Sequence, residues 1–276
     1  MIDLHTHSTA SDGSLTPREL ARLGKSAGLH VMALTDHDGT GGVDDFLDEA
    51  QKIGLIGIPG IEFSAEVPHG QLHLVGLNFN PHDPALNAKL ERVLNSRADR
   101  NLEILKAFNE AGIDFTFEEV AAFSGDKLIS RVHFAQALLK RGHVNSIPEA
   151  FERYVGKGAL CYRNRFRYYP HECIEMIHAA GGLLFMAHPL SLDLPDFPSL
   201  ERAIADLRDQ GLDGMECYYS TYDTETTVAL LRIAKRLNLV PSVASDFHGA
   251  PKPTIHLGQL HPAPETEAAL RAALHI

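Results

Sequence analysis

The chain has 276 residues, 44% of them hydrophobic and 22% charged, with a formal net charge of −11. That balance describes a globular chain of one large domain, or one domain with an insert, and excludes a disordered tail, a coiled coil, a collagen-like repeat and a broadly coated nucleic-acid binder. No apolar run reaches the roughly 18–20 residues of a membrane helix. The MIDLHTH start shows no basic-then-apolar leader, and Cys161, Cys173 and Cys217 are odd in number and scattered, so a reducing, cytoplasmic setting without a membrane partner is expected.

Residues 2–5 form a short apolar start, and 16–28 (TPRELARLGKSAG) read as a helix with a Thr N-cap, Pro at its first position and a closing Gly. A strand at 31–35 (VMALT), a helix at 43–53, an apolar run at 56–63 broken by Pro59-Gly60 and a strand at 71–77 (QLHLVGL) follow. From about 84 to 156 the period is helical, with helices at 83–112, 116–123, 130–142 and 147–155; Thr116 with Glu119 has capping-box spacing. The alternation then returns as helix 170–180, strand 183–187, helix 199–210, strand 214–218, helix 224–237, strand 239–244 and a terminal helix near 265–274. Continuous apolar strands between amphipathic helices imply an α/β fold with a largely parallel sheet, open or closed into a barrel. Between Lys127 and Arg167 nine basic residues face two acidic ones, which makes this stretch the place suited to an anion.

Chemistry-bearing side chains recur where strands end. His5-Thr6-His7 closes the first strand, and residues at i and i+2 of a strand share a face, so both imidazoles can meet one metal ion. Asp246-Phe247-His248 repeats that spacing after the last strand. Asp36-His37-Asp38 ends the second strand, Glu62 lies in the third apolar run, His73 sits in QLHLVGL, and His188 follows LLFMA. Asp12 lies in the Ser11-Asp12-Gly13 loop. Active sites of α/β barrels are built at the carboxyl ends of the strands. The set lacks thiolates, and its nitrogen–oxygen mixture suits Mn, Fe or Zn better than Ca or Mg. Asp36 and Asp38, flanking His37, are expected to support ligands rather than to act as the general acid.

In this order, H-x-H, S-D-G, T-D-H-D, G-x-E, H-x-x-G, A-H-P and D-x-H, the chain resembles the polymerase and histidinol phosphatase (PHP) superfamily. Its helical insert and Ser130-Arg131-Val132-His133 resemble the subfamily of nucleotide 3′,5′-bisphosphate phosphatases and 5′–3′ exoribonucleases. The resemblance implies a distorted (β/α)7 barrel made of residues 1–80 and 165–276, with an all-helical insert, 81–164, forming a substrate cap. It also implies two or three divalent metal ions, with Mn foremost: one held by His5, His7, Glu62 and Asp246, a second by Glu62, His73 and His188, a third by Asp12, His37 and His248. Such a cluster acidifies a bound water, which then serves as the nucleophile against a phosphoester.

Ser130, Arg131 and His133 open a helix, where backbone N–H groups, a guanidinium and an imidazole suit a phosphate; the resemblance assigns them that role. Asp12 is a further candidate for substrate contact. Arg97, Arg100 and Asn101 share a helix face by their spacing and are candidates, with a solvated face as the alternative. The segment 162–169 alternates basic and aromatic residues, so Arg163 and Arg165 are candidates beside the plainer reading of an edge strand. The expected substrate is a small phosphorylated nucleotide or short single-stranded RNA rather than a duplex. A histidinol-phosphate phosphatase, an amidohydrolase acting on a C–N bond and a non-catalytic metal-stabilised module are the alternatives.

Overall fold

The caps and turn glycines set most element boundaries in the computed structural model, which describes residues 1–123 and 129–276. Lys127 of the basic stretch therefore lies outside the described residues. In chain order the elements are β1 (Ile2–Asp3), α1 (Pro17–Ser26), β2 (Val31–Leu34), α2 (Val43–Lys52), β3 (Ile56–Ala65), β4 (Leu72–Leu77), α3 (Pro84–Glu110), α4 (Phe117–Ala121), α5 (Arg131–Lys140) and α6 (Ile147–Ala150). A π-helical turn (Phe151–Val155) follows, then α7 (Pro170–Ala179), β5 (Leu183–Met186), a 3-10 turn (Pro189–Leu192), α8 (Phe197–Asp209), β6 (Gly214–Tyr219), α9 (Thr224–Leu237), β7 (Val240–Ala244) and α10 (Pro264–Leu274). The chain divides into two compact units, Met1–Ala88 with Arg167–Ile276, and Lys89–Phe166.

In the larger unit one seven-stranded sheet runs in the order β1 to β7. Leu4 N–H donates to Val243 O and Asp246 N–H to His5 O, each at 2.9 Å, so β7 returns beside β1 and the sheet is a nearly closed barrel. The helices cover its outside, which is why the strands read as continuous apolar runs. Val31 and Ala33 join the interior cluster with Ile2, Leu4, Val75, Phe185 and Val243, whereas Met32 and Leu34 pack outward with Leu20 of α1 and Phe46 of α2. Leu270 and Leu274 of α10 complete the interior cluster.

One strand departs from the parallel pattern. β4 is antiparallel to both β3 and β5, because only residues 66–71 join it to β3, and a parallel crossover needs roughly a dozen or more. The run broken by Pro59-Gly60 is in fact one strand, β3, with β2 on one edge and β4 on the other. Residues Ile56 to Pro59 pair with β2, and Gly60 to Ala65 pair with β4.

The smaller unit is helical around its own core of Ile104, Phe108, Phe115, Val120, Phe134, Leu138 and Val155. The rings of Phe108 and Phe115 meet edge to face at 5.3 Å. α4 begins with the expected reciprocal cap between Thr116 and Glu119. Residues 162–169 form no strand, and the alternation is not a clean division of faces: Arg165 is buried while Asn164 is exposed.

Candidate metal centre

Glu62 lies in β3 at 1% exposure, and the centre is arranged around its carboxylate. Its Oε2 is 2.8 Å from His37 Nδ1, 3.3 Å from His7 Nε2 and 3.4 Å from His5 Nε2. Its Oε1 is 2.8 Å from His73 Nδ1 and 3.1 Å from His188 Nε2. Asp246 Oδ1 approaches His7 Nε2 at 3.4 Å and His5 Nε2 at 3.7 Å. Asp12 closes the other side, 3.2 Å from His248 Nε2 and 3.6 Å from His37 Nε2. Every metal-ligand candidate read from the sequence is thus in one cluster.

The elements explain the convergence. His5 and His7 leave β1 with their Nε2 atoms 3.0 Å apart, as the i, i+2 spacing suggested. His37, Glu62, His188, Asp246 and His248 come from the carboxyl-end halves or ends of parallel strands. His73 does not: it is the second residue of antiparallel β4, opposite Ser64. Reversal of the strand brings an amino end to the same mouth.

Three groups have donor atoms close enough to share an ion: His7, Asp12, His37 and His248; His5, His7 and Asp246; and His37, Glu62 and His73. This grouping gives His7 and His37 two neighbourhoods each. His188 lies outside those groups and reaches the cluster through Glu62 Oε1.

Burial opposes charge on Glu62, Asp12 and Asp246, yet the facing histidines outweigh it and hold all three well below the usual carboxylate range. Burial also opposes the cations of His5 and His7. Glu62, Glu216 and Asp246 overcome it at His5, whose pKa lies well above the ordinary value, and the adjacent Asp246 and Glu62 carboxylates raise His7 to about 9. At His73 and His248 burial prevails and the shift is downward. Glu62 Oε2 and His37 Nδ1 are buried without a hydrogen-bond partner. A buried, unsatisfied carboxylate oxygen is costly in protein alone, and a divalent cation amid these nitrogen and oxygen donors satisfies it. The residues present fit such a metal.

Asp36 accepts from Ser8 N–H at 2.8 Å and from the hydroxyls of Ser8 and Ser11 at 2.6 Å each, and so fixes the loop from His7 to Asp12. Asp38 accepts from Ser64 N–H at 3.1 Å. Both support the centre through loop backbone and hydroxyls. The sequence reading missed Tyr219, Lys252 and Glu216. Tyr219 Oη and Lys252 Nζ both donate to Asp246 Oδ2, at 2.6 and 2.5 Å. The hydrogen bond to Asp246 and burial push the Tyr219 hydroxyl far above its ordinary range, burial first. Glu216 is a lone acid in the strand GMECYY, a signal that was available. A cleft of about 380 Å³ opens over the centre, walled by Gln71, Leu190, Tyr222 and Lys252, a size that suits a small molecule.

In the helical unit Asn101 donates to Ile129 O at 2.9 Å and receives Arg100 Nε at 3.0 Å. Arg97, Arg100 and Asn101 are all buried, so the solvated-face alternative does not hold. Ser130 N–H donates to His133 Nδ1 at 3.0 Å, and Arg131 Nη1 donates to Val155 O at 3.2 Å. Arg163 Nη1 donates to Tyr162 O and Arg165 Nη1 to Phe166 O.

A nearly closed seven-stranded barrel with histidines and carboxylates gathered at its mouth defines a metal-dependent phosphoesterase. The PHP domain model matches residues 3–178, and the chain belongs to that family. It is 36% identical to the 5′-3′ exoribonuclease of Haemophilus influenzae over 89% of each chain. It is 32% identical to the 3′,5′-nucleoside bisphosphate phosphatase of Chromobacterium violaceum, over 90% of this chain and 87% of that one. A solved amidohydrolase from Chromobacterium violaceum, with sulfate bound, superposes with a TM-score of 0.86 at 30% identity, covering 97% of this chain and 96% of that one. No described helix is long and apolar enough to cross a membrane.

Proposed function

We propose that the chain removes the 3′-phosphate of a nucleoside 3′,5′-bisphosphate, or cleaves short single-stranded RNA from its 5′ end, with two or three Mn ions. The observation that carries this reading is the Glu62 carboxylate, whose two oxygens divide the surrounding histidines between them. Two relatives, one named a 5′-3′ exoribonuclease and the other a 3′,5′-nucleoside bisphosphate phosphatase, support the substrate class. His5, His7, Glu62 and Asp246 would hold one ion, Glu62, His73 and His188 a second, and Asp12, His37 and His248 a third. Bound there, the ions supply an acidified water and charge to neutralise the phosphoryl oxygens. Tyr219 and Lys252 keep Asp246 Oδ2 occupied and leave Oδ1 directed at His5 and His7. Arg131, with Ser130 and His133, is the proposed contact for the second phosphate; Arg97, Arg100, Asn101, Arg163 and Arg165 are proposed further contacts, and the helical unit the substrate cap.

Phosphate release with Mn is compared on adenosine 3′,5′-bisphosphate, AMP, histidinol phosphate and a short 5′-phosphorylated RNA. The bisphosphate or the RNA should be preferred by tenfold or more, on the order of one lost charged hydrogen bond. Arg131→Ala should then reduce turnover of the bisphosphate and spare AMP. Equal losses on both substrates refute the Arg131 role, and failure on all four refutes the substrate class.

A further inference from the structure

Glu216 is 1% exposed and comes from β6, the strand that contributed no site residue to the sequence reading. An ionised carboxylate placed there is costly unless it is hydrogen-bonded. Its Oε1 lies 2.7 Å from His5 Nδ1, and its Oε2 accepts the backbone N–H of His188 at 2.5 Å. Both partners are residues of the proposed metal centre, one just after β1 and one just after β5. His188 also has φ 26° and ψ 68°, an unusual backbone for a non-glycine residue. The Glu216 bond ties that residue down through the one donor its backbone has.

We propose that Glu216 is a positioning residue of the metal centre: it keeps a proton on His5 Nδ1, so that His5 Nε2 presents a lone pair, and it clamps the His188 backbone in register. The inference rests on the metal-centre reading above and deepens it. The opposite nitrogen, Nε2, is the one that faces His7, Glu62 and Asp246. In the other tautomer a proton would stand where a cation is to be held. Carboxylate partners of this kind set ring orientation and ligand basicity in metal sites.

Glu216→Gln isolates the effect, because glutamine keeps the size and loses one acceptor. The His188 amide can only donate, so it takes the remaining oxygen. The glutamine NH2 then faces His5 Nδ1, which must become an acceptor, and the His5 proton moves to Nε2. Zn(II) serves as the probe metal, being diamagnetic, and full-length protein is used throughout. Zn(II) affinity is measured by competition with a chelating dye, and the His5 Hδ1 signal is followed in the Zn(II)-loaded protein by 15N-histidine NMR. The expected result is a 10–100-fold weaker affinity and loss of the downfield His5 Hδ1 signal. The rise in thermal midpoint on Zn(II) loading should shrink in the variant, which a merely structural role would not cause.

Wild-type affinity with the His5 Hδ1 signal intact overturns the role of Glu216. If Glu216→Gln fails to fold, Glu216→Asp is measured instead; its shortened side chain cannot reach both partners, and wild-type affinity there is equally fatal. Wild-type protein that takes up no Zn(II) defeats the metal-centre reading itself, a result separate from wild type binding and Glu216→Gln binding equally well.

Discussion

Glu62 faces both sides of the centre: one oxygen lies beside His5, His7 and His37 and the other beside His73 and His188. Glu62→Gln would turn one of those oxygens into an NH2 group directed at ring nitrogens. Metal content should fall and phosphate release should drop on the order of 10²-fold or more, read by elemental analysis and a phosphate assay on the same sample. Unchanged metal content would remove Glu62 from the centre. The same cluster gives a pH dependence with a definite sign. With its pKa raised to about 9, His7 holds a proton at neutral pH in protein groups alone. A metal ion needs the neutral ring, so loading must expel that proton. Metal affinity should therefore rise from pH 6.5 to 8.5, by about tenfold per pH unit for each proton released. Zn(II) titrations in two buffers of different ionisation enthalpy count those protons; an affinity flat across that interval contradicts the account.

Among the elements, those with local signals were legible. The Thr116–Glu119 cap, Pro at the start of α1 and the turn glycines each act within a few residues, and the helices lie where those signals put them. What escaped depends on partners distant in sequence. The direction of β4 follows from a short connection, but its consequence, that His73 serves the site from a strand's amino end, needs the neighbours β3 and β5. Glu216 stands out as a lone acid in its strand, but its role depends on partners 211 and 28 residues away. Pro59-Gly60, which breaks the apolar run in the sequence, lies inside one continuous strand. Gly60 is required there, since a Cβ would meet Leu34 O at 2.6 Å and the Thr35 methyl at 2.7 Å. Gly60→Ala should destabilise the barrel by about 1–3 kcal/mol, which for a unit of this size lowers the thermal midpoint by about 2–4 °C per kcal/mol. A midpoint equal to wild type would mean that β2 yields to the extra methyl.

At the scale of the whole molecule, the surplus of basic residues between 127 and 167 is less available than counting suggested. Arg141 pairs with Glu119, Arg153 with Glu149, and Arg167 with Glu66, so several of these charges are spent on holding each unit together. The cysteines give a cleaner global test, because each of the three is fully buried. Cys161 belongs to the helical unit, whereas Cys173 and Cys217 belong to the barrel unit. Burial pushes the Cys161 thiol up and the Cys217 thiol far up, with Glu216 beside Cys217 adding to the effect. A thiol reagent needs both access and thiolate; the native fold withholds access from all three and disfavours the thiolate at Cys161 and Cys217. Native protein should therefore release almost no thiol to an aromatic disulfide reagent over minutes, and all three cysteines should react at once in denaturant. A single fast thiol in the native protein would identify an opening. Mapping it to Cys161 would place the opening in the helical unit, and to Cys173 or Cys217 in the barrel, and either result would contradict the closed packing of that unit.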